Sequence, residues 1–221
     1  MSVVAVLWDM DGTLLDSEKL WDIGVRELAV ELGGVMTDGL RRALIGADGP
    51  NALRMLFDGL GLDRDAEAMT AAGHWLERRV TELMACPIPW RPGAQDALAA
   101  LRAAGLPSAL VTNTKRSITE LCLSTLGRDT FDVSVCGDEV TSGKPAPDPY
   151  LRAAGLLGVD PADCVAVEDS PTGSAAALAA GCQVLVVPCE VEVPHRQGLN
   201  FRESLVGLTV GDLDRVHAGA R

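Results

Sequence analysis

The chain has 221 residues, 48% of them hydrophobic, enough to bury a large core as one domain with an insertion or as two small domains, and too apolar for a disordered tail. Its 19 basic against 31 acidic residues give a formal net charge of -12, and basic residues adjoin only as Arg41-Arg42, Arg78-Arg79 and Lys115-Arg116. Nucleic acid and anionic membranes are therefore not expected partners, and an anionic ligand needs a local site inside a repulsive global field.

The first element, "VVAVLW" (3 to 8), is an apolar run that stops at Asp9 and Asp11 and reads as a buried strand. Residues 17 to 86 then carry almost no strand-like run. Their clearest pattern, "SEKLWDIGVRELAVELGG", predicts a helix with an apolar face of Leu20, Ile23, Leu28 and Leu32 and a Gly-Gly stop. Roughly a hundred residues separate Asp9 from the next strand end at Thr112, against about 30 in a strand-helix-strand unit. The spacing predicts a small helical domain, 17–86, inserted into a core made of 1–16 and 87–221.

Beyond residue 90 the rhythm is regular. "RPGAQDALAALRAAGLP" predicts a helix from Pro92 to a stop at Gly105, followed by strands "PSALVT" (107 to 112) and "FDVSVC" (131 to 136). "PDPYLRAAGLLG" predicts a helix with Asp148 as N-cap and Pro149 first, and "CVAVE" (164 to 168) and "CQVLVV" (182 to 187) predict two more strands. The tail "LTVGDLDRVHAG" predicts one short strand and a last helix. Short strands, apolar on both faces and alternating with helices, predict an α/β fold with a doubly wound parallel sheet.

Cys86, Cys122, Cys136, Cys164, Cys182 and Cys189 lack C-x-x-C spacing and lie in apolar segments, which reads as reduced core cysteines in a cytoplasmic protein. The first apolar run lacks the basic flank of a signal peptide, and none approaches the roughly 20 residues of a membrane span. His74, His195 and His217 are isolated, without metal-site spacing, and read as superficial. A monomer is expected.

Open α/β sheets bind ligands at the carboxyl ends of their strands. Those ends here offer Asp9 and Asp11, then Thr112 and Asn113, then Glu168, Asp169 and Ser170, with Lys144 in the loop after the third strand. Each stretch alone is ambiguous, since D-x-D-G also suits a surface turn and a lone lysine is usually a solvated loop charge. An EF-hand loop starting at Asp9 is excluded, because its sixth position is Leu14.

Taken together, "DMDGTLLDSE", "LVTNT", "GKPAPDPY" and "VEDSPTGSAAALAAG" resemble, in order, the four motifs of the haloacid dehalogenase-like hydrolases, over nearly the whole chain. Within that superfamily the resemblance is to the phosphatase and phosphosugar-mutase branch with a small helical cap. It implies a Rossmann-like core and Mg²⁺ held by Asp9, the Asp11 carbonyl and Asp169, with Glu168 close by. It further implies Asp9 as the nucleophile that becomes an aspartyl-phosphate, and Asp11 as general acid, then base. Thr112, Asn113, Lys144 and main-chain N–H groups after Asp9 would bind the phosphate. Physical chemistry agrees: a carboxylate can approach a phosphate dianion only when cations neutralise it, and all-oxygen ligands suit Mg²⁺.

Within the family, Asp11 argues for phosphoryl transfer, since a dehalogenase lacks the second aspartate. The absence of lysine between residues 20 and 114 argues against a phosphonate-cleaving Schiff base. Mutases of the β-phosphoglucomutase type carry Lys before a cap glycine and Arg three residues after it, where this chain has Ile45, Gly46 and Gly49, and Trp21 replaces their hinge histidine. Water is therefore the expected acceptor. A mutase remains the alternative, and a catalytically silent binding protein a third reading. Ser17, Trp21, Arg41, Arg42 and Gly46 are expected to face the site from the cap and set specificity.

Overall fold

The computed structural model describes residues 2–45, 47 and 49–219; Gly46 therefore lies outside the described residues. Six parallel strands, β1 (Ala5–Trp8), β2 (Ser108–Val111), β3 (Val133–Val135), β4 (Cys164–Glu168), β5 (Gln183–Val186) and β6 (Leu199–Phe201), form one sheet in the order β3-β2-β1-β4-β5-β6. Trp8 pairs with Leu110 on one side and Val167 on the other, so the ends of β2, β1 and β4 are neighbours. The order reverses between β1 and β4, where a crevice opens in such sheets.

Successive strand residues feed two apolar layers, as period-two alternation requires. Val6, Trp8, Leu110, Val165 and Val167 face α5 (Ala94–Ala103), α6 (Arg116–Leu126) and α9 (Val210–Ala218). Ala5, Leu7, Ala109, Val111, Ala166 and Val184 face α7 (Asp148–Leu157) and α8 (Pro171–Ala180). Between β1 and α5 the chain forms four helices among the described residues, α1 (Glu18–Glu31), α2 (Asp38–Leu44), α3 (Gly49–Gly59) and α4 (Ala66–Leu83), whose own cluster includes Val25, Leu28, Leu44, Leu56 and Phe57. Among the described residues no helix is long and apolar enough to cross a membrane.

Several sequence expectations shift. α1 buries Val25, Leu28 and Ala29, while Ile23 is 40% exposed, because the face toward the insertion's core follows Trp21 at helical spacing and residue 23 lies opposite. α5 begins at Ala94, after a turn at Pro92 and Gly93, and α7 begins at Asp148 itself with Pro149 second, so Asp148 is not its N-cap. The extra strand is Leu199–Phe201, upstream of the tail, whose own contribution is α9. Cys86 is exposed and Cys189 partly so, whereas the other four cysteines are buried. His217 is buried beside Asp163, 3.7 Å away, rather than superficial.

Candidate active site

The strand ends carry the site on main chain that is still part of the sheet. Asp9 N–H donates to Val167 O (3.0 Å), Thr112 N–H to Val135 O (3.0 Å), and Val187 N–H to Glu168 O (2.7 Å). The three site residues are therefore fixed by the ladder before any side chain interacts.

Lys144 Nζ, buried, donates to Asp9 Oδ1 (2.6 Å), Glu168 Oε1 (2.6 Å) and the Val111 carbonyl (2.8 Å), which uses its three donors. Its loop is clamped by Asn113, whose amide donates to Lys144 O (3.1 Å) and accepts from Lys144 N–H (2.8 Å). Expected as a phosphate ligand, Asn113 thus spends those amide bonds on aiming the lysine. The Tyr150 hydroxyl donates to the same Glu168 oxygen at 2.5 Å.

Asp9, Glu168 and Asp169 bring ligand oxygens within 4.8 Å of one another, all buried. One ammonium cannot balance three carboxylates. Burial first of all, then the neighbouring carboxylates against the opposing pull of Lys144, holds the Asp169 carboxyl well above its ordinary value. The Asp9 carboxyl is raised too, by burial above all, partly offset by Lys144. Burial lowers the Lys144 ammonium's proton affinity, but Asp9 and Glu168 outweigh it and keep the group charged. Among the described residues Asp9 Oδ2, itself buried, has no hydrogen-bond partner. An orphaned oxygen in an all-carboxylate cluster short of positive charge fits a hard divalent cation.

Two glycines make room for this cluster. Gly12 has φ +83°, open to glycine at little cost, and a Cβ there would lie 2.2 Å from Asp169 Oδ2. Gly173, in the first turn of α8, presses on Glu168 so closely that a Cβ would meet its two carboxylate oxygens at 1.9 and 2.0 Å. The small-residue run of α8 buries Ala176 and Ala177 in the core, but its first glycine, Gly173, belongs to the site.

Asp11 is suspended between core and insertion. Its Oδ2 accepts from Thr112 (3.2 Å) and Thr114 (2.8 Å), and its Oδ1 from Ser17 (2.6 Å) and Trp21 Nε1 (3.2 Å). Thr114 and Tyr150 escaped the sequence reading; Thr114 offered the signal of standing two residues beyond Thr112.

Above these residues lies a cavity of about 750 Å³, lined on the core side by Asp9, Asp11, Thr112, Asn113, Lys144 and Asp169 and on the other by α1 to α4. Arg41 lines it but is buried in ion pairs with Glu18 (2.9 Å) and Asp22 (3.0 Å). Arg42 is exposed and outside the lining, because its neighbour already occupies the inward face. Burial, and next the charge of Asp11, push the Glu18 carboxyl up to about 7 despite Arg41. Glu77 of α4 ties the insertion to the core, accepting from Lys115 Nζ (2.7 Å) and Ser117 Oγ (2.9 Å).

The sequence matches the profile described as "haloacid dehalogenase-like hydrolase" over residues 3–181. Hexitol phosphatase A of Escherichia coli is 34% identical over 193 residues, spanning 86% of this chain and 85% of that protein. A phosphorylated carbohydrates phosphatase of Thermotoga maritima is 34% identical over 81% of this chain and 82% of its own. Among solved structures, a variant of CbbY from Rhodobacter sphaeroides in complex with xylulose-1,5-bisphosphate superposes with a TM-score of 0.85 at 29% identity, covering 96% of this chain and 99% of that one.

Proposed function

The chain belongs to the haloacid dehalogenase-like hydrolases and is a phosphoric monoester hydrolase among them; from that premise we propose that it is a Mg²⁺-dependent phosphatase of a small phosphorylated metabolite, such as a sugar phosphate or phosphoglycolate, working through an aspartyl-phosphate. One observation carries the reading: Asp9 is buried with one oxygen held by Lys144 and the other without a partner, directly beneath the cavity.

Mg²⁺, when bound by Asp9, Asp169 and the Asp11 carbonyl with Glu168 beside them, supplies the positive charge that lets a carboxylate meet a phosphate dianion. An Asp9 oxygen forms the bond to phosphorus as the bond to the substrate's alcohol oxygen breaks, and Asp11 gives that oxygen its proton. Lys144 balances charge at Asp9 and Glu168 throughout. The Thr112 hydroxyl, turning from Asp11 to the substrate, and the Asn113 segment bind the remaining phosphate oxygens. Asp11, now a carboxylate, takes a proton from water as that water attacks phosphorus, and Asp9 and inorganic phosphate are released.

The insertion, 17–86, is a cap domain on this reading, joined to the core near 16–18 and 86–89 and closing over substrate to exclude bulk water. Water as acceptor is supported by the cap cations that line the cavity: Arg41 is paired with Glu18 and Asp22, Arg54 donates to Asn51, and Arg64 pairs with Asp58, while Ile45 is neutral and buried. A second substrate phosphate would have to displace these partners. The free cysteines support a cytoplasmic setting. Turnover of 4-nitrophenyl phosphate should cease in EDTA and return with Mg²⁺, and a panel of phosphorylated metabolites should yield free phosphate. Full activity in a chelated, metal-free sample contradicts the proposal.

A further inference from the structure

Asp11 receives donors from two parts of the molecule that are far apart in sequence. Thr112 and Thr114 come from the end of β2, and Ser17 and Trp21 from the start of α1. Ser17 occupies the N-cap position of α1, yet its side chain makes no capping bond and turns to Asp11 instead. Trp21 stands one turn further on, on the same helix face, partly buried against the main core cluster, with its indole N–H aimed at the same oxygen. The sequence reading placed both residues among those that set specificity; their hydrogen bonds are to the acid/base carboxylate.

We infer that Trp21 is a positioning residue for Asp11: with Ser17 it fixes Oδ1 so that the carboxylate is oriented to take a proton from the water that attacks the aspartyl-phosphate. The inference rests on the acid/base reading of Asp11 given above. An indole N–H donates and never accepts, so Trp21 can hold a carboxylate acceptor but cannot relay its proton. Two donors on each oxygen define the plane of the carboxylate, so Oδ2 takes a proton only once the Thr112 hydroxyl, the longer of its two partners at 3.2 Å, turns away to the phosphate, while Ser17 and Trp21 keep Oδ1 in place. Because two of the four belong to α1, orientation of the base depends on a contact from the insertion. The consequence falls on the second half-reaction, where no leaving group is present to help and only the placement of Asp11 activates water.

Trp21→Phe keeps an aromatic ring and removes the donor. With 4-nitrophenyl phosphate and Mg²⁺, whose leaving group needs no proton, formation of the aspartyl-phosphate should be untouched and its breakdown slowed. The expected signature is kcat and KM falling together by about 10- to 100-fold, the loss of one hydrogen bond to a charged group, with kcat/KM within about twofold of wild type. A burst of 4-nitrophenolate and acid-stable phosphoenzyme should appear. A merely structural defect lowers kcat/KM instead and gives no burst. Ser17→Ala, which removes the other donor to Oδ1, should give the same signature and carries the test if Trp21→Phe does not fold. The inference is overturned by wild-type kinetics in both variants, or by a fall in kcat/KM without phosphoenzyme. A wild-type enzyme that turns over without ever becoming labelled overturns it together with the acid/base reading.

Discussion

The floor of the cavity and its ceiling solve the same problem of holding charge in different ways. On the floor Lys144 is 4% exposed, Glu168 0% and Asp9 9% at their side chains, each tied within 2.6 Å and backed by strand main chain. On the ceiling, apart from the buried Arg41–Glu18 pair, the charged groups lie nearer the surface: Arg64 is 55% exposed in its pair with Asp58, and Glu77 is 29% exposed where it meets Lys115 of the core. Buried charges cannot rearrange without leaving a partner stranded, whereas exposed pairs exchange with water at little cost. On the proposed function, chemistry therefore rests on the core, and specificity and closure fall to the part that can change.

The sharpest way to break this contrast is to strand the floor. Lys144→Met leaves Asp9, Glu168 and Asp169 without their shared cation and should destabilise the metal-free protein by about 3 kcal/mol, with activity lost; urea unfolding checks it. An unchanged midpoint would mean the three carboxylates do not depend on the lysine. Gly173→Ala should cost about 1–3 kcal/mol through overpacking, because its Cβ would enter the Glu168 carboxylate, and it should lower the response to Mg²⁺ as Glu168 is pushed aside. The matching substitution at Gly155, exposed within α7 where a Cβ meets nothing within 4 Å, serves as the control and should stabilise by up to about 1 kcal/mol.

A pH scan reads the buried carboxyls that the two regions share. Burial raises the Asp9 and Glu18 carboxyls from ordinary values of 3.8 and 4.5 toward about 7, so the folded chain holds protons that the unfolded chain releases. Their contribution to stability is complete below roughly pH 4 and is lost as pH rises through about 7. Metal-free protein should therefore melt at a lower temperature at pH 8 than at pH 5.5. Added Mg²⁺ should raise Tm more at pH 8, because it binds the carboxylate that protons otherwise occupy. The opposite trend with pH would contradict the burial of these groups as the cause. The smallest effect is expected on the ceiling: Glu77→Gln loosens the contact to Lys115 and Ser117 and should change stability by no more than about 0.5 kcal/mol, with KM moving about two- to fivefold. A large loss of kcat would place Glu77 in the chemistry instead.

What could be read from the sequence follows the same division. That Asp9, Asp11, Glu168 and Asp169 meet is legible because they end apolar strands that the sheet order sets side by side, and Lys144 reaches Asp9 and Glu168 from the loop after β3. Glu18, Thr114 and Tyr150 were not legible, since each acts through a partner set by tertiary packing: Glu18 through Arg41 of α2, Thr114 through Asp11 some hundred residues earlier, Tyr150 through Glu168 on the next strand. Gly173 reads as one small residue among many until Glu168 is seen against it. The α1 face was misjudged at Ile23 because apolar residues surround that helix, and only its placement between core and insertion decides which side is buried. Arg41 and Arg42 carried the same sequence signal, but the ion pairs with Glu18 and Asp22 select the first and leave the second in solvent.

The central claim is that Asp9 itself carries the phosphoryl group. Rapid mixing of the enzyme with Mg²⁺ and a ³²P-labelled phosphomonoester, acid quench within the first turnover and peptide mapping test it directly. The account predicts label on the peptide containing Asp9, discharged by hydroxylamine as an acyl phosphate is and absent from Asp9→Asn. Label on Asp11, or steady turnover by Asp9→Asn, would contradict it.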